Sequence, residues 1–547
     1  MGNLNSYNNK AASLTLEADV LVIGGGPAGT WAALAAAAKG ASVVLADKGY
    51  CGTSGATAPS GTGVWYVEPS ADKREEAMKS REALGGYLAD RGWMKRVLDR
   101  TYANMNDLAL AGYPFPLDES GNRYLRSLQG PEYMKLMRKR VHKAGVRILD
   151  HCPALELLAD DNGVGGASGI QIKNGEPWTV KSGAVVIASG GCAFLSGALG
   201  THVLTGDGYL MAAEAGASLS GMEFSNAYAI SPAFSTVTKT AFYTWASFYY
   251  EDGTVIEGAG SQKGRSVIAR TLLTQPVYAC LDQATEEMRL WMRKAQPNFF
   301  LPFDRVGIDP FTQKFPVTLR LEGTVRGTGG IHLIDENCAT AVPGLYAAGD
   351  AATRQFICGG FTGGGSHNAA WAMSSGSWSG EAAASYSAKL GFRRNARELQ
   401  GLRTTPVEKA AGARESQVKA GAPSAQEVIA AVKREVDPYE INLFRSDARL
   451  KQSLGRLDQI WREVRSGVAT SGADVWKARE AASMAATARW MYASALARPE
   501  TRGMHKRTDY PDIDPNQHYR LLAGGIDDVW VKPEPQPALP AAEVHAG

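Results

Sequence analysis

At 547 residues the chain is too long for one simple core, so two or three domains are expected. Apolar residues at 44% and charged residues at 21% are ordinary globular values and exclude a wholly disordered chain. A formal charge of +3, with no long run of lysine and arginine, argues against nucleic-acid binding. The six cysteines (Cys51, Cys152, Cys192, Cys280, Cys338, Cys358) lie far apart with no Cys-x-x-Cys pair. That spacing makes no zinc site, iron–sulfur cradle or disulfide framework, so no metal is assigned and a reduced, cytoplasmic setting is expected. The N-terminal stretch is polar and lacks an apolar signal segment, and no apolar run is long enough to span a membrane. Met1-Gly2 with Ser6 matches a myristoylation pattern, for which a polar tail is the plainer reading.

In chain order, Asp19-Val-Leu-Val-Ile23 reads as a buried strand, followed by Gly24-Gly25-Gly26 and an alanine-rich helix from Ala28 to Lys39. A second strand, Ser42 to Ala46, ends on Asp47 and closes a βαβ unit. Helical patterns run over 73–112 and Tyr133–Ala144, and strands over Val146–Leu158, Ser168–Ile172 and Ala184–Ile187, the last ending in Ser189-Gly190-Gly191. Between 217 and 330 the composition shifts toward aromatics, Thr and Pro, which predicts an inserted domain. A short strand then ends at Gly349-Asp350, and a small-residue helix runs from Asn368 to Leu390. The stretch 392–424 is basic and alanine-rich, while 425–436, 445–466 and 474–497 have helical periodicity. The Pro-rich tail from Lys532 reads as disordered. The expected domains are a 1–17 tail, a nucleotide-binding domain of 18–216 with 331–390, a cap of 217–330, a helical domain of 391–505, and a partly disordered extension of 506–547.

A lone G-x-G-x-x-G is weak evidence, but here Gly24, Gly26 and Gly29 follow a strand directly and open a helix. In that context Gly24 serves the tight turn, Gly26 the close approach of a pyrophosphate, and Gly29 the helix–strand contact, with the phosphates at the positive helix end. Asp47, at the end of the second strand, is placed to accept hydrogen bonds from an adenosine ribose. The turn predicts a dinucleotide without separating FAD from NAD. Ala347-Ala348-Gly349-Asp350 resembles the late strand of two-dinucleotide-binding flavoproteins, whose acid meets the ribityl or pyrophosphate region. No second such βαβ unit is read, so no NAD(P)H domain is expected.

The chain resembles the fumarate reductase and succinate dehydrogenase flavoprotein family, which includes L-aspartate oxidase and the adenylylsulfate reductase α subunit. The resemblance runs from Ala18 to about Tyr519. It rests on Val22–Gly29, Ser54-Gly55-Ala56-Thr57-Ala58, Ala188–Gly191, Thr205-Gly206-Asp207-Gly208 with Met211-Ala212, Arg265–Arg270, Gly329-Gly330-Ile331, Pro343-Gly344-Leu345 and Thr501–His505. It implies an α/β fold: a Rossmann-like FAD-binding domain, an inserted α+β capping domain and a C-terminal helical domain. It also implies FAD contacts at Gly24, Gly26, Gly29, Asp47, Ser54, Gly55, Asp207 and Asp350, with Pro27, Ala28, Lys48, Ala154 and Gly190 beside them. Asn368 falls where the family points a helix N-terminus at the flavin's pyrimidine end. Ser54 stands where fumarate reductases carry the histidine that bonds covalently to FAD, so dissociable FAD is expected. Cys51 nearby reads as a packed thiol.

The family's dicarboxylate clamp is largely missing. Its first histidine motif becomes Tyr228-Ala229-Ile230-Ser231-Pro232, its second histidine becomes Val325 or Arg326, and its clamp arginine is absent from Phe361–Asn368. That last run and Ser54-Gly55-Ala56 are nearest in shape to adenylylsulfate reductase. Arg265 matches the family's proton-shuttle arginine, with an interdomain salt bridge as the alternative. Arg326, near the Gly-Gly-Ile strand, is a second candidate, and a solvated charge is equally open. His367, beside the flavin-facing helix start, reads either as a group titrating near neutral pH or as a structural histidine. Tyr228 and His332 complete the catalytic candidates.

These residues imply an FAD-dependent oxidoreductase acting on a small, polar, anionic metabolite by hydride transfer at flavin N5. With no iron–sulfur motif in the chain, a separate ferredoxin-like subunit is the expected electron partner, and an oligomer is open. The alternatives are an oxidase using O2, as in L-aspartate oxidase, and an electron-relay or scaffold subunit.

Overall fold

The computed structural model describes residues 13–117, 120–238, 240–260, 264–362, 365–391, 397–404, 421–470 and 474–535. Met1-Gly2 and Ser6, much of 392–424, Gly363-Gly364 and the end of the tail lie outside the described residues.

The strand Leu14–Ile23 is the middle of the main sheet. It runs parallel to Val43–Ala46 on one side and to Pro177–Ile187 on the other. Arg147–Leu149 extends the sheet beyond Val43–Ala46, and Leu345–Ala347 pairs in parallel with Val185–Ile187. Such a parallel sheet must be covered on its faces, and the helix Pro27–Ala38 packs against both the sheet and the helix Gly365–Leu390. The first strand begins earlier than its apolar run because Leu14–Glu17 pairs with Trp178–Lys181, with Leu14 and Leu16 half-buried and Thr15 and Glu17 exposed. Ala154–Asp160 and Gly163–Ile170 continue the sheet antiparallel.

Two elements read as continuous are split. The helical stretch 73–112 is two helices, Ala71–Leu84 and Arg91–Leu110, broken at Gly85-Gly86, with the Asp90 side chain accepting from Trp93 N. A Cβ on Gly85 would lie 2.2 Å from Cys358 O, so the break lets two segments touch through their backbones. The run Val146–Leu158 divides into Arg147–Leu149 and Ala154–Asp160. Between them Asp150 turns aside to accept from Cys51 N and to pair with Arg138.

From 227 to 323 the chain forms a separate antiparallel sheet in the order Ala227–Pro232, Phe315–Gly323, Val277–Cys280, Ser247–Tyr249. Its own core is aromatic, built on Phe242, Phe248, Phe299, Phe300, Phe303 and Phe315. The helices Ala425–Val436, Asp447–Ser466 and Val475–Leu496 form the helical region, the first opened by a capping box between Ser424 and Glu427.

The chain end is more ordered than its composition suggested. Leu521–Gly524 and Trp530–Pro533 join Leu219–Ser220 and Gly330–Ile331 in a four-stranded sheet, so Lys532 and Pro533 lie in a strand. What holds this return is a buried ion cluster. Arg498 pairs with Glu223 at 2.9 Å and Glu500 at 2.8 Å, and Arg502 pairs with Glu500 at 2.6 Å. The Thr501–His505 motif is therefore structural: His505 Nε2 meets Arg498 O and its Nδ1 meets Arg445. Glu500→Gln takes the counter-charge from buried Arg502 and leaves buried Arg498 with Glu223 alone. We expect it to lower unfolding stability by about 3–5 kcal/mol, read as a shifted urea midpoint.

Candidate active site

A cavity of about 560 Å3 opens where the parallel sheet ends and the aromatic-cored sheet begins. The glycine turn forms its floor. A Cβ on Gly29 would lie 1.8 Å from Gly24 O, so the helix can sit this close to its strand only without a side chain there. A Cβ on Gly26 would meet nothing within 4 Å, because that position faces the cavity. The helix Pro27–Ala38 has no side-chain cap and no acid in its first turn, so its free N–H groups and positive end are left for an anion.

Of the predicted cofactor positions, Gly24, Gly26, Pro27, Ala28, Asp47, Lys48, Ser54, Gly55, Ala154, Gly190, Asp207, Asp350 and Asn368 line this cavity, and Gly29 lies just beneath it. Three have roles the sequence did not suggest. Asp47 accepts from Gly25 N at 2.8 Å, Gly49 N at 2.7 Å and Ser54 Oγ at 3.1 Å, so it ties the glycine turn to the following loop. Burial pushes its pKa up, opposed by those donors. Lys48 is spent: its ammonium donates to Thr205 Oγ1, Asp207 Oδ2 and Glu480 Oε1 at 2.6–2.7 Å. Asp350 forms an ion pair with Arg354.

Two polar atoms on the cavity wall, Ser189 Oγ and Asn368 Oδ1, are buried and have no partner among the described residues. Orphaned groups of this kind call for a ligand. Together with the bare helix end they fit a dinucleotide lying from the glycine turn to the first turn of Gly365–Leu390. Cys51 packs under the turn with its thiol pushed up to about 12 by burial, which leaves it a neutral, inert group.

Of the five catalytic candidates, two line the cavity and three do not. Arg265, on the helix Gly264–Leu272, and Arg326, after the strand Phe315–Gly323, both line the cavity. Arg265 is open to the cavity space yet hemmed in by protein. That enclosure, then the nearby Arg326 charge, lowers its pKa to about 10. Arg326 pairs at 3.2 Å with Glu322, a buried acid that also accepts from Thr238 Oγ1 at 2.7 Å. Glu322 was not singled out in the sequence, where it is one acid among many on an alternating strand.

Tyr228 and His367 do not line the cavity. The Tyr228 hydroxyl lies against Val436 O and Asp437 O, at the contact with the helical region. His367 is fully buried with its ring 4.6 Å from that of Trp65. Burial, then Arg81 and Arg354, push its pKa down to about 3, so it stays neutral and does not titrate near pH 7. His332 lies away from the cavity, 3.6 Å from Glu534.

A cavity that runs from a bare helix end past two unpartnered polar groups is shaped for FAD, and the class this fold defines is an FAD-dependent oxidoreductase. An FAD binding domain model matches residues 19–228, and a fumarate reductase flavoprotein C-terminal model matches 437–532. One subunit of the fumarate reductase (CoM/CoB) of Methanothermobacter marburgensis is 25% identical, over 92% of this chain and 97% of its own. L-aspartate oxidase of Streptomyces coelicolor is 24% identical, over 92% and 90%. The FrdA chain of E. coli quinol fumarate reductase has the same fold, with a TM-score of 0.80 at 21% identity over 97% of this chain and 99% of that one. Adenylylsulfate reductase from Archaeoglobus fulgidus follows with a TM-score of 0.74 at 18% identity, covering 96% of each. The chain belongs to the fumarate reductase/succinate dehydrogenase flavoprotein family. No helix among the described residues is long and apolar enough to cross a membrane.

Gly26→Ala places a methyl group in the cavity without touching protein. We expect less flavin per chain after gel filtration, at an unchanged melting temperature of the flavin-free protein. Gly29→Ala, which collides with the Gly24 carbonyl, should lower both.

Proposed function

We propose that the chain is the flavin subunit of a dehydrogenase or reductase for a small anionic metabolite, with electrons exchanged through a separate ferredoxin-like carrier. The observation that carries this reading is the pair Arg265 and Arg326, two cations that line the same cavity as the glycine turn. Bound FAD supplies the two-electron acceptor or donor for hydride transfer. Arg326, braced by Glu322, anchors the substrate's anionic group. Arg265 holds the proton that accompanies the hydride, and its lowered pKa makes it a stronger acid than an ordinary guanidinium. Succinate and fumarate are disfavoured as substrates, because Val325 is apolar, Tyr228 faces the helical region, and the family's clamp arginine has no counterpart in 361–368.

A second hollow, of about 590 Å3, supports the electron partner. Lys135, Arg138, Lys139 and His142 of the helix Gly130–Lys143 line it, facing Tyr50, Thr53 and Pro59. The loop that bounds it also bounds the cofactor cavity: Gly52, Thr53, Ala58 and Pro59 face outward, Ser54–Thr57 and Ser60–Gly63 inward. An acidic carrier seated there is one loop's thickness from the cofactor. Ser54, which cannot form the histidyl link, supports a non-covalent cofactor.

Arg265→Ala is expected to cost turnover with little loss of flavin, and Arg265→Lys to restore part of it. Unchanged turnover of the assembled complex would favour a relay or scaffold subunit. Arg265 loses its charge as pH rises through about 10, so kcat/KM should fall there in wild type and not in the alanine variant. Peroxide formed in air at the rate of substrate consumption would turn the reading to an oxidase.

Acid precipitation should release all the flavin into the supernatant; flavin left in the pellet would refute a dissociable cofactor. The charge-reversed variant K135E/K139E should slow reduction by an acidic ferredoxin at low ionic strength by about tenfold or more while leaving reduction by a small viologen dye unchanged.

A further inference from the structure

The walls of the same cavity differ in chemistry. Three bases line it among the described residues, and Lys48 is held by Asp207 and Glu480. That leaves Arg265 and Arg326, each near enough to feel the other's charge. Beyond this pair the wall offers no free base for a second carboxylate among the described residues.

The cap's other contributions to the wall are Thr240, Ala241, Phe242, Trp291, Ala295, Gln296 and Val325. Trp291, on the helix Glu286–Ala295, is 54% exposed although it is among the largest apolar side chains in the cap. It does not move freely. Its ring stands edge-on to Phe242 at 6.1 Å and to Trp245 at 6.4 Å, and buried Phe242 rests on Phe299 at 5.3 Å and Phe300 at 5.7 Å. The next helix, Pro297–Val306, is tied to the cofactor loop by Asn298 Nδ2, which donates to Pro59 O at 2.8 Å. A rigidly backed, half-bare aromatic ring on a cavity wall is a surface made to be covered by something flat and apolar.

We propose that the substrate carries a single anionic group joined to a flat, unsaturated or aromatic body, the anion at Arg265 and Arg326 and the flat body against Trp291, which Phe242 backs. This rests on the anionic-substrate reading above.

The test is calorimetric titration of the FAD-loaded protein, without oxygen or electron donor, using 3-phenylpropenoate, propenoate, fumarate and the neutral 3-phenylpropenamide. The expected result is that 3-phenylpropenoate binds about tenfold or more tightly than propenoate or fumarate. Trp291→Ala should remove that advantage over propenoate, and so should Trp291→Leu, which keeps apolar bulk without a flat ring; Trp291→Phe should keep most of it. Fumarate binding as tightly as 3-phenylpropenoate, no binding of 3-phenylpropenoate at millimolar concentration, or an advantage that survives Trp291→Leu would overturn the proposal. The amide binding as tightly as the carboxylate would instead overturn the anionic reading on which it rests, with the aromatic preference still visible.

Discussion

One buried ammonium joins the parts of this molecule that must act together. Lys48 leaves the end of the strand Val43–Ala46, Thr205 and Asp207 come from the turn and helix that follow the strand Pro177–Ile187, and Glu480 comes from the helical region. A buried lysine is costly unless paired, and here all three of its donors are taken. Burial works to lower its pKa, but Asp207 and Glu480 outweigh it and hold the charge on. The same carboxylates would be costly without Lys48, and the pKa of Glu480 is pushed up by burial and by Asp207. The helical region is thus tied to the edge of the cofactor cavity by a charge cluster that is satisfied only when every segment is in place.

That cluster also explains how the cofactor site handles phosphate. With Lys48 neutralised, the negative charge of a pyrophosphate must be met by the bare N-terminus of Pro27–Ala38 and its neighbouring amides. Asp47 supports this indirectly. By accepting from Gly25 N and from the Gly49–Ser54 loop, it fixes the backbone whose other amides face the cavity.

What could be read in the sequence was what local chemistry dictates. A strand, a glycine turn, a helix and an acid within thirty residues act over a few bond lengths, so their spacing predicts their geometry. Asp207, Asp350 and Asn368 fall on the cavity wall because each sits in the first turn of a helix that starts there. Contacts across the chain were not legible. Nothing near Glu480 signals that it meets Lys48 more than four hundred residues away. Glu322 alternates on its strand like any other residue, and only the fold turns it inward beneath Arg326. Tyr228 occupies a position inherited from a histidine motif, but its ring turns toward Val436 and Asp437 because the helical region offers carbonyls there. The short C-terminal strands carry no apolar alternation of their own, and they are ordered by ion pairs at Arg498 and Glu500 formed elsewhere.

The two cavity arginines illustrate how a site stores energy for binding. Arg265 is protonated at neutral pH although burial and Arg326 both oppose its charge. A base whose pKa is lowered on folding destabilises the folded state below that pKa, so the chain bears this cost at every pH under about 10. Glu322 offsets part of it from behind, leaving the pair with an excess of positive charge facing the cavity. An anion bound between the arginines removes the repulsion and raises the Arg265 pKa. By the reciprocity of linked equilibria, the protonated site binds that anion more tightly. At neutral pH the proton is already on Arg265, and a bound anion would hold it there to a higher pH. A site with two neutral side chains in these places would gain stability and lose this coupling.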